Sequence, residues 1–191
     1  GVYMQGILKK EINNTQIPHG SGSFIIERNK SPEFGFCYTG EWIDGARTGK
    51  GRLIRGDNCI YNGMFHKNQA HGLGILTEPN GKIYNGNWVN GLRSGLGIQY
   101  DRGTMYYGNW NNNKLNGLGN RIAKNGIIYH GGFKDNLLHG IVIVLPFNGI
   151  KKYIGRWENG KPVGIGILFS KDNSHIFVDI ESQIGRFKYT Q

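Results

Sequence analysis

At 191 residues with 38% hydrophobic side chains the chain is long enough for one ordinary globular domain, but its 32 glycines are more than twice the usual share of about 7%. Five prolines exclude a collagen-like triple helix, and an aromatic content of 12% excludes disorder. Lys and Arg outnumber Asp and Glu by 23 to 13, a formal charge of +10 that biases the chain toward acidic partners without identifying one.

Taken in chain order, residues 1–37 read as a degenerate opening unit, with Met4, Gly6 and Leu8 followed by Gly20 and Gly22. Its spacing is stretched by insertions, one at Asn13-Asn14 and one ending near Pro32. Residues 38–169 then carry six regular copies of one pattern: an aromatic, glycine two later, an aromatic two after that, and glycines 11 and 13 residues from the first aromatic. The copies are Tyr38-Gly40-Trp42 with Gly49 and Gly51; Tyr61-Gly63-Phe65 with Gly72 and Gly74; Tyr84-Gly86-Trp88 with Gly95 and Gly97; Tyr106-Gly108-Trp110 with Gly117 and Gly119; Tyr129-Gly131-Phe133 with Gly140; and Tyr153-Gly155-Trp157 with Gly164 and Gly166. First aromatics are separated by 23, 23, 22, 23 and 24 residues. Residues 170–191 read as a capping strand or a linker to further sequence, and the start at Gly1 in mid-pattern reads as a fragment of a longer chain.

Side chains alternate along a strand, so each aromatic-Gly-aromatic triplet lies on one face of an extended segment. The residues between them, such as Thr39 and Glu41 or Asn85 and Asn87, suit a solvated second face. A second strand follows each glycine pair. Asn80-Gly81, Asn125-Gly126, Asn148-Gly149 and, less strongly, Arg102-Gly103 and Asp172-Asn173 predict hairpin turns, of type I′ for Asn-Gly. The other connection places Gly or Asn seven residues after the aromatic, and both tolerate positive φ. These features predict an all-β, elongated, twisted, single-layer antiparallel meander with no helix longer than two turns between residues 38 and 169. Two strands per repeat advance the array by about 10 Å, so six or seven repeats span roughly 60–70 Å. A single layer has no second sheet to form a core. Each ring is therefore expected to lie over backbone left bare by glycine on a neighbouring strand.

The Tyr-x-Gly-x-Trp frame followed by a Gly-x-Gly segment resembles the MORN motif (membrane occupation and recognition nexus). The third copy, Tyr84 to Gly97, agrees at every key position; the fifth departs most, with Phe133 for Trp, Asn136 for Gly and Val142 at the second glycine. The resemblance implies a sheet with a groove that serves protein interaction, scaffolding or dimerisation, at a cytoskeletal or membrane-associated structure in the cytoplasm. On that reading a partner peptide or helix, or a second copy in a homodimer, lies along a groove lined by Tyr38, Trp42, Tyr61, Phe65, Tyr84, Trp88, Tyr106, Trp110, Tyr129, Phe133, Tyr153 and Trp157. Two alternatives stand beside it. Lipid association has been proposed for the family, and Lys114, Arg121, Lys124, Lys134, Lys151 and Lys152 could meet anionic lipids, facing one acid, Asp135, across residues 106–152. MORN arrays also accompany catalytic domains such as lysine methyltransferases and phosphoinositide kinases.

No enzyme chemistry, cofactor or nucleic-acid partner is expected. His19, His71 and His139 each precede a paired glycine, but His71 and His139 are three repeats apart, roughly 30 Å, far beyond shared metal ligation. Cys37 and Cys59 fall on opposite faces by alternation; they should not pair, and two cysteines favour a reducing, intracellular setting. The Gly-x-Gly triplets recur between strands and lack the helix or the Gly-Lys-Ser/Thr extension of a phosphate loop. No apolar run is long enough to span a bilayer as a helix.

Overall fold

The computed structural model describes residues 2–5, 8–12, 15–26, 36–147, 152–170, 172, 174–180 and 187–189, and every regular element among them is a strand. The expected insertions at Asn13-Asn14 and Pro32 and the Asn148-Gly149 turn lie outside the described residues. The chain divides into two units, residues 1–94 and 95–191.

The first unit comprises β1 (Val2–Gln5), β2 (Leu8–Ile12), β3 (Thr15–Ile26), β4 (Phe36–Ile43), β5 (Ala46–Ile54), β6 (Ile60–His66), β7 (Gln69–Thr77), β8 (Ile83–Val89) and the start of β9 (Leu92–Asp101). From β3 to β8 each strand pairs antiparallel with the next, and β1 and β2 both pair with β3. The opening segment shares the register of the regular repeats: Met4 faces Phe24 as Tyr38 faces Leu53, and Gly22 faces Gly40. The second unit holds the rest of β9, then β10 (Thr104–Asn111), β11 (Lys114–Ile122), β12 (Ile128–Lys134), β13 (Leu137–Leu145), β14 (Lys152–Glu158), β15 (Lys161–Phe169), β16 (His175–Ile180) and β17 (Phe187–Tyr189), again paired antiparallel in sequence order. The fold is the all-β hairpin meander that the repeat spacing predicts.

Turn types depart from expectation in an instructive way. Type I′ requires positive φ at both central residues, yet Gly81 (φ 82°) and Gly126 (φ 80°) are left-handed while Asn80 and Asn125 are not among the positive-φ residues. Gly81 N–H donates to Glu78 O at 3.0 Å and Gly126 N–H to Ala123 O at 2.8 Å. These are wider loops in which glycine closes the turn instead of sitting at its centre. The two-residue type I′ turns are at the other connection: Asp44-Gly45, Lys67-Asn68, Asn90-Gly91, Asn112-Asn113, Asp135-Asn136 and Asn159-Gly160 are all left-handed at both positions. Arg102-Gly103 joins them. Asn136, the departure from glycine in the fifth copy, takes φ 72°, and its Oδ1 accepts a 2.8 Å bond from Leu115 N–H. The second residue of these turns also stitches repeats together, as in Gly91 N–H to Ala70 O and Gly160 N–H to Leu138 O, both 2.9 Å.

Strand register lines the glycines up. In the first unit Gly22, Gly40, Gly51, Gly63, Gly74 and Gly86 face one another across six strands. In the second unit the row runs Gly97, Gly108, Gly119, Gly131, Val142, Gly155. Such a row is a trough floored by backbone, and Tyr38, Tyr61 and Tyr153 lie in it. A methyl group at Gly63 would meet Tyr61 Oη at 2.6 Å and Gly74 Cα at 2.5 Å; one at Gly155 or Gly166 would strike the Tyr153 ring. The first glycine of each pair has a separate task. Gly72 (φ 75°) forms the kink at which two extra residues of β7 are absorbed between the Gly63↔Gly74 and Phe65↔Ala70 pairs, a conformation costly for any residue with a Cβ.

Because the space above Gly63 is filled by ring and backbone, Gly63→Val is expected to destabilise the chain by about 1–3 kcal/mol through overpacking. Replacing its exposed neighbour, Asn62→Ala, is expected to stay within about 0.5 kcal/mol. Thermal unfolding of the two variants against the parent checks this, and similar melting temperatures would contradict the trough.

Candidate functional site

Within each unit the proposed groove residues lie on one face, and there they form the core. In the first unit Trp42, Tyr38, Phe65, Tyr61, Trp88 and Tyr84 make an unbroken series of edge-to-face contacts, with centroids 4.9, 5.1, 5.0, 5.3 and 5.2 Å apart and ring planes 85–90° to one another. This is the geometry that ring quadrupoles favour. Trp88 Nε1 donates to Gly74 O and Trp110 Nε1 to Gly97 O, both at 3.1 Å. Arg47 lies over Tyr38 and Phe65, and Arg93 over Tyr84, at 5.5–5.7 Å. Nine of the twelve rings are no more than 7% exposed; only Tyr106, Tyr129 and Trp157 are half-buried. The expected open groove of ring edges is therefore closed over most of its length. With no second sheet available, the rings and the guanidinium groups of Arg47 and Arg93 serve as the covering layer.

The opposite face differs from expectation too. Its first-strand positions are mostly polar as predicted, with Met64, Tyr107 and Ile154 as apolar exceptions, but the residue after the first paired glycine of the second strand is an exposed aliphatic in five successive repeats: Leu73 65%, Leu96 53%, Leu118 71%, Ile141 64% and Ile165 68% exposed. Each immediately precedes the trough residue of its strand, Gly74, Gly97, Gly119, Val142 and Gly166, so within a unit they form a row parallel to the trough. In the second unit a neighbouring row continues it by register, His130 to Ile143 to Ile154 to Ile167 to Phe177. The sequence carries a readable sign: Leu or Ile follows the first glycine of the pair in the second to sixth copies, with Lys50 in the first. In the first unit Lys50, Gly51, Gly63, Met64 and Leu73 line a predominantly apolar cavity of about 380 Å³.

The basic residues are not brought together. Lys151 lies outside the described residues. Lys114 is paired with Asp135 at 3.1 Å. By alternation from the buried rings Phe133 and Tyr153, Lys134 and Lys152 point to the opposite face from Arg121. Only Arg121 and Lys124 share a site, a cavity of about 620 Å³ lined also by Thr104, Ala123, Asn125 and Tyr129. It arises where the trough is irregular. A methyl at Gly108 would meet Leu115 Cδ1 at 3.1 Å, one at Gly119 the Phe133 ring at 3.3 Å, and one at Gly131 Val142 Cγ2 at 3.1 Å. Side chains other than Tyr106 and Tyr129 thus occupy the space over these glycines, and both tyrosines are left half-buried.

His71 belongs to β7 and His139 to β13, and no group of three metal-ligating side chains gathers among the described residues. Cys37 and Cys59 are free thiols, with Cys59 N–H bonded to Asp57 Oδ1 at 3.0 Å. Burial of the thiol, and after it Asp57, raise the Cys59 pKa, the reverse of an activated nucleophile.

Burial pushes the phenols of Tyr38 and Tyr84 up to about 12, partly offset by Arg47 and Arg93 respectively, and raises Tyr61 further. A folded-state pKa above the unfolded value of about 10 means the stabilisation is complete below pH 10. It is lost as pH rises to about 12. Phenolate absorbance and circular dichroism are therefore expected to change together in that window, the core tyrosines ionising only as the sheet unfolds. Full ionisation of all ten tyrosines near pH 10 with the sheet intact would contradict the buried assignment.

Comparison with known families agrees with this geometry: the MORN repeat model matches residues 38–60, 61–83, 84–105, 106–127, 129–141 and 153–175. No curated protein matches the chain.

Proposed function

The chain belongs to the MORN-repeat family, and from that premise we propose that it is a non-catalytic scaffold that holds a partner protein against the exposed aliphatic row of its second strands. The observation that carries this reading is the row itself: Leu96, Leu118, Ile141 and Ile165 occupy alternate strands of one unit, each more than half exposed. An aliphatic side chain conserved in place by repetition on a solvated face contributes nothing to the ring-covered core, and contiguous exposed apolar surface of this kind marks interaction sites. The spacing favours a helical partner. Alternate strands are about 10 Å apart, and seven residues of an α-helix rise about 10.5 Å. A helix crossing the strands with an apolar residue every seventh position would meet one row residue per repeat.

The lipid reading has less support, since the candidate basic residues divide between two faces, whereas attachment needs several on one. Replacing Leu118, Ile141 and Ile165 together by Ser is expected to leave the melting temperature within a few degrees, because these side chains are already exposed. The same replacement is expected to abolish co-purification of the cellular partner. Unchanged capture by a folded triple variant would sink the reading, and a concentration-dependent sedimentation change in the parent alone would identify a second copy as the partner.

A further inference from the structure

The second unit contains a site that neither the aromatic core nor the aliphatic row explains. We infer that the cavity between Arg121 and Lys124 binds a phosphate monoester.

The cavity follows from substitutions in this chain's own repeats. At the second-strand position that is Leu53, Leu76, Val144 and Leu168 in four of the other repeats and the uncharged Gln99 in the third, the fourth repeat has Arg121. Its register partners are Tyr106 on β10 and Tyr129 on β12, the two tyrosines whose places over the glycine trough are taken by Leu115 and Val142. The Arg121 guanidinium lies over the Tyr129 ring at 5.1 Å, which fixes its plane. Its Nε is buried without a hydrogen-bond acceptor, and among the described residues no carboxylate forms an ion pair with Arg121 or Lys124. Asp101, the acid nearest in register, faces Thr104 across the Arg102-Gly103 turn. Lys124 enters from the loop that Gly126 N–H closes onto Ala123 O at 2.8 Å. In the same loop Asn125 Oδ1 accepts from Ile127 N–H at 3.3 Å, which leaves the Asn125 amide NH2 as a donor. The lining is thus two cations, the hydroxyls of Thr104 and Tyr129 and one amide, with no acid.

A carboxylate brings one charge and two acceptor oxygens, too few for two unpaired cations. A phosphate monoester brings a charge of about −1.5 to −2 and three acceptor oxygens, which a guanidinium can receive through two parallel bonds while an ammonium supplies a point charge. Because Lys134 and Lys152 lie on the other face and Lys114 is engaged by Asp135, the cations form a single-group site and not a broad basic surface. The group could come from a soluble phosphorylated molecule or from a lipid headgroup, and the experiment separates the two.

The full 191-residue chain is titrated with O-phosphoserine and with inorganic phosphate, following the backbone amide resonances of residues 123–127. In parallel it is sedimented with phosphatidylcholine vesicles containing phosphatidic acid, a monoester, or phosphatidylglycerol, a diester. Saturable shifts confined to this loop are expected, weakened about tenfold in R121Q and in K124Q, the loss of one charge-assisted bond, and unchanged in K134Q. Sedimentation with phosphatidic acid but not phosphatidylglycerol, lost in K124Q, assigns the group to a lipid; soluble binding without it assigns a soluble source. K124Q replaces an exposed side chain and stays informative if R121Q unfolds. Absence of both saturable shifts and monoester-selective sedimentation, equal sedimentation with both lipids, or equal weakening by K134Q and K124Q would overturn the site.

Discussion

A tyrosine ring lying in a trough of facing glycines is the contact on which this protein depends. One strand layer cannot bury its own apolar surface against a second sheet, so it must bury it within its own thickness. Glycines in register across neighbouring strands remove the side chains that would hold a ring away from the backbone. The ring then covers peptide groups, and its edge meets the Trp or Phe of the same or the next repeat. Burying an aromatic side chain this way is worth about 1.5–3 kcal/mol. Repetition makes the contribution cumulative and local, as expected of an array whose repeats contact chiefly their neighbours.

The consequence for function is a division of labour between faces. Rings engaged edge to face, capped by Arg47 and Arg93, have little left to offer a partner. Side chains on the opposite face have no structural duty in the trough, so the persistence of Leu or Ile between the paired glycines is the chain's most economical statement about interaction. The alternation of a strand is what permits both at once: consecutive residues such as Ile141 and Val142, one 64% exposed and the other fully buried, serve opposite faces.

The irregular repeats show the same constraint from the other side. Where Leu115 and Val142 supply the packing that a tyrosine ring supplies elsewhere, Tyr106 and Tyr129 are released to the rim and a cavity opens beside Arg121 and Lys124. A change in what fills the trough thus becomes a change in surface chemistry a few ångströms away, with strand pairing from β10 to β13 kept intact.

Much of this was legible in the residues themselves. The interval of 22–24 residues between aromatics specified strands, hairpin links and the shared face of rings and glycines, because a period of two along a strand and a fixed repeat length leave few other arrangements. The Gly or Asn seven residues after each aromatic marked the tight turns, since few other residues take positive φ. Which glycine faces which, and so which ring fills which trough, depended on register, and register is set by the left-handed kink at residues such as Gly72 that absorbs two residues of one strand. Whether Asn80-Gly81 forms the centre or the close of its loop was likewise decided by pairing on both sides of it. The exposure of Leu118 and the meeting of Arg121 with Lys124 were tertiary outcomes of the same kind. An aliphatic side chain is exposed only if nothing packs over its face, and Arg121 and Lys124 share a cavity only because other side chains hold the space over the glycines that Tyr106 and Tyr129 would have filled.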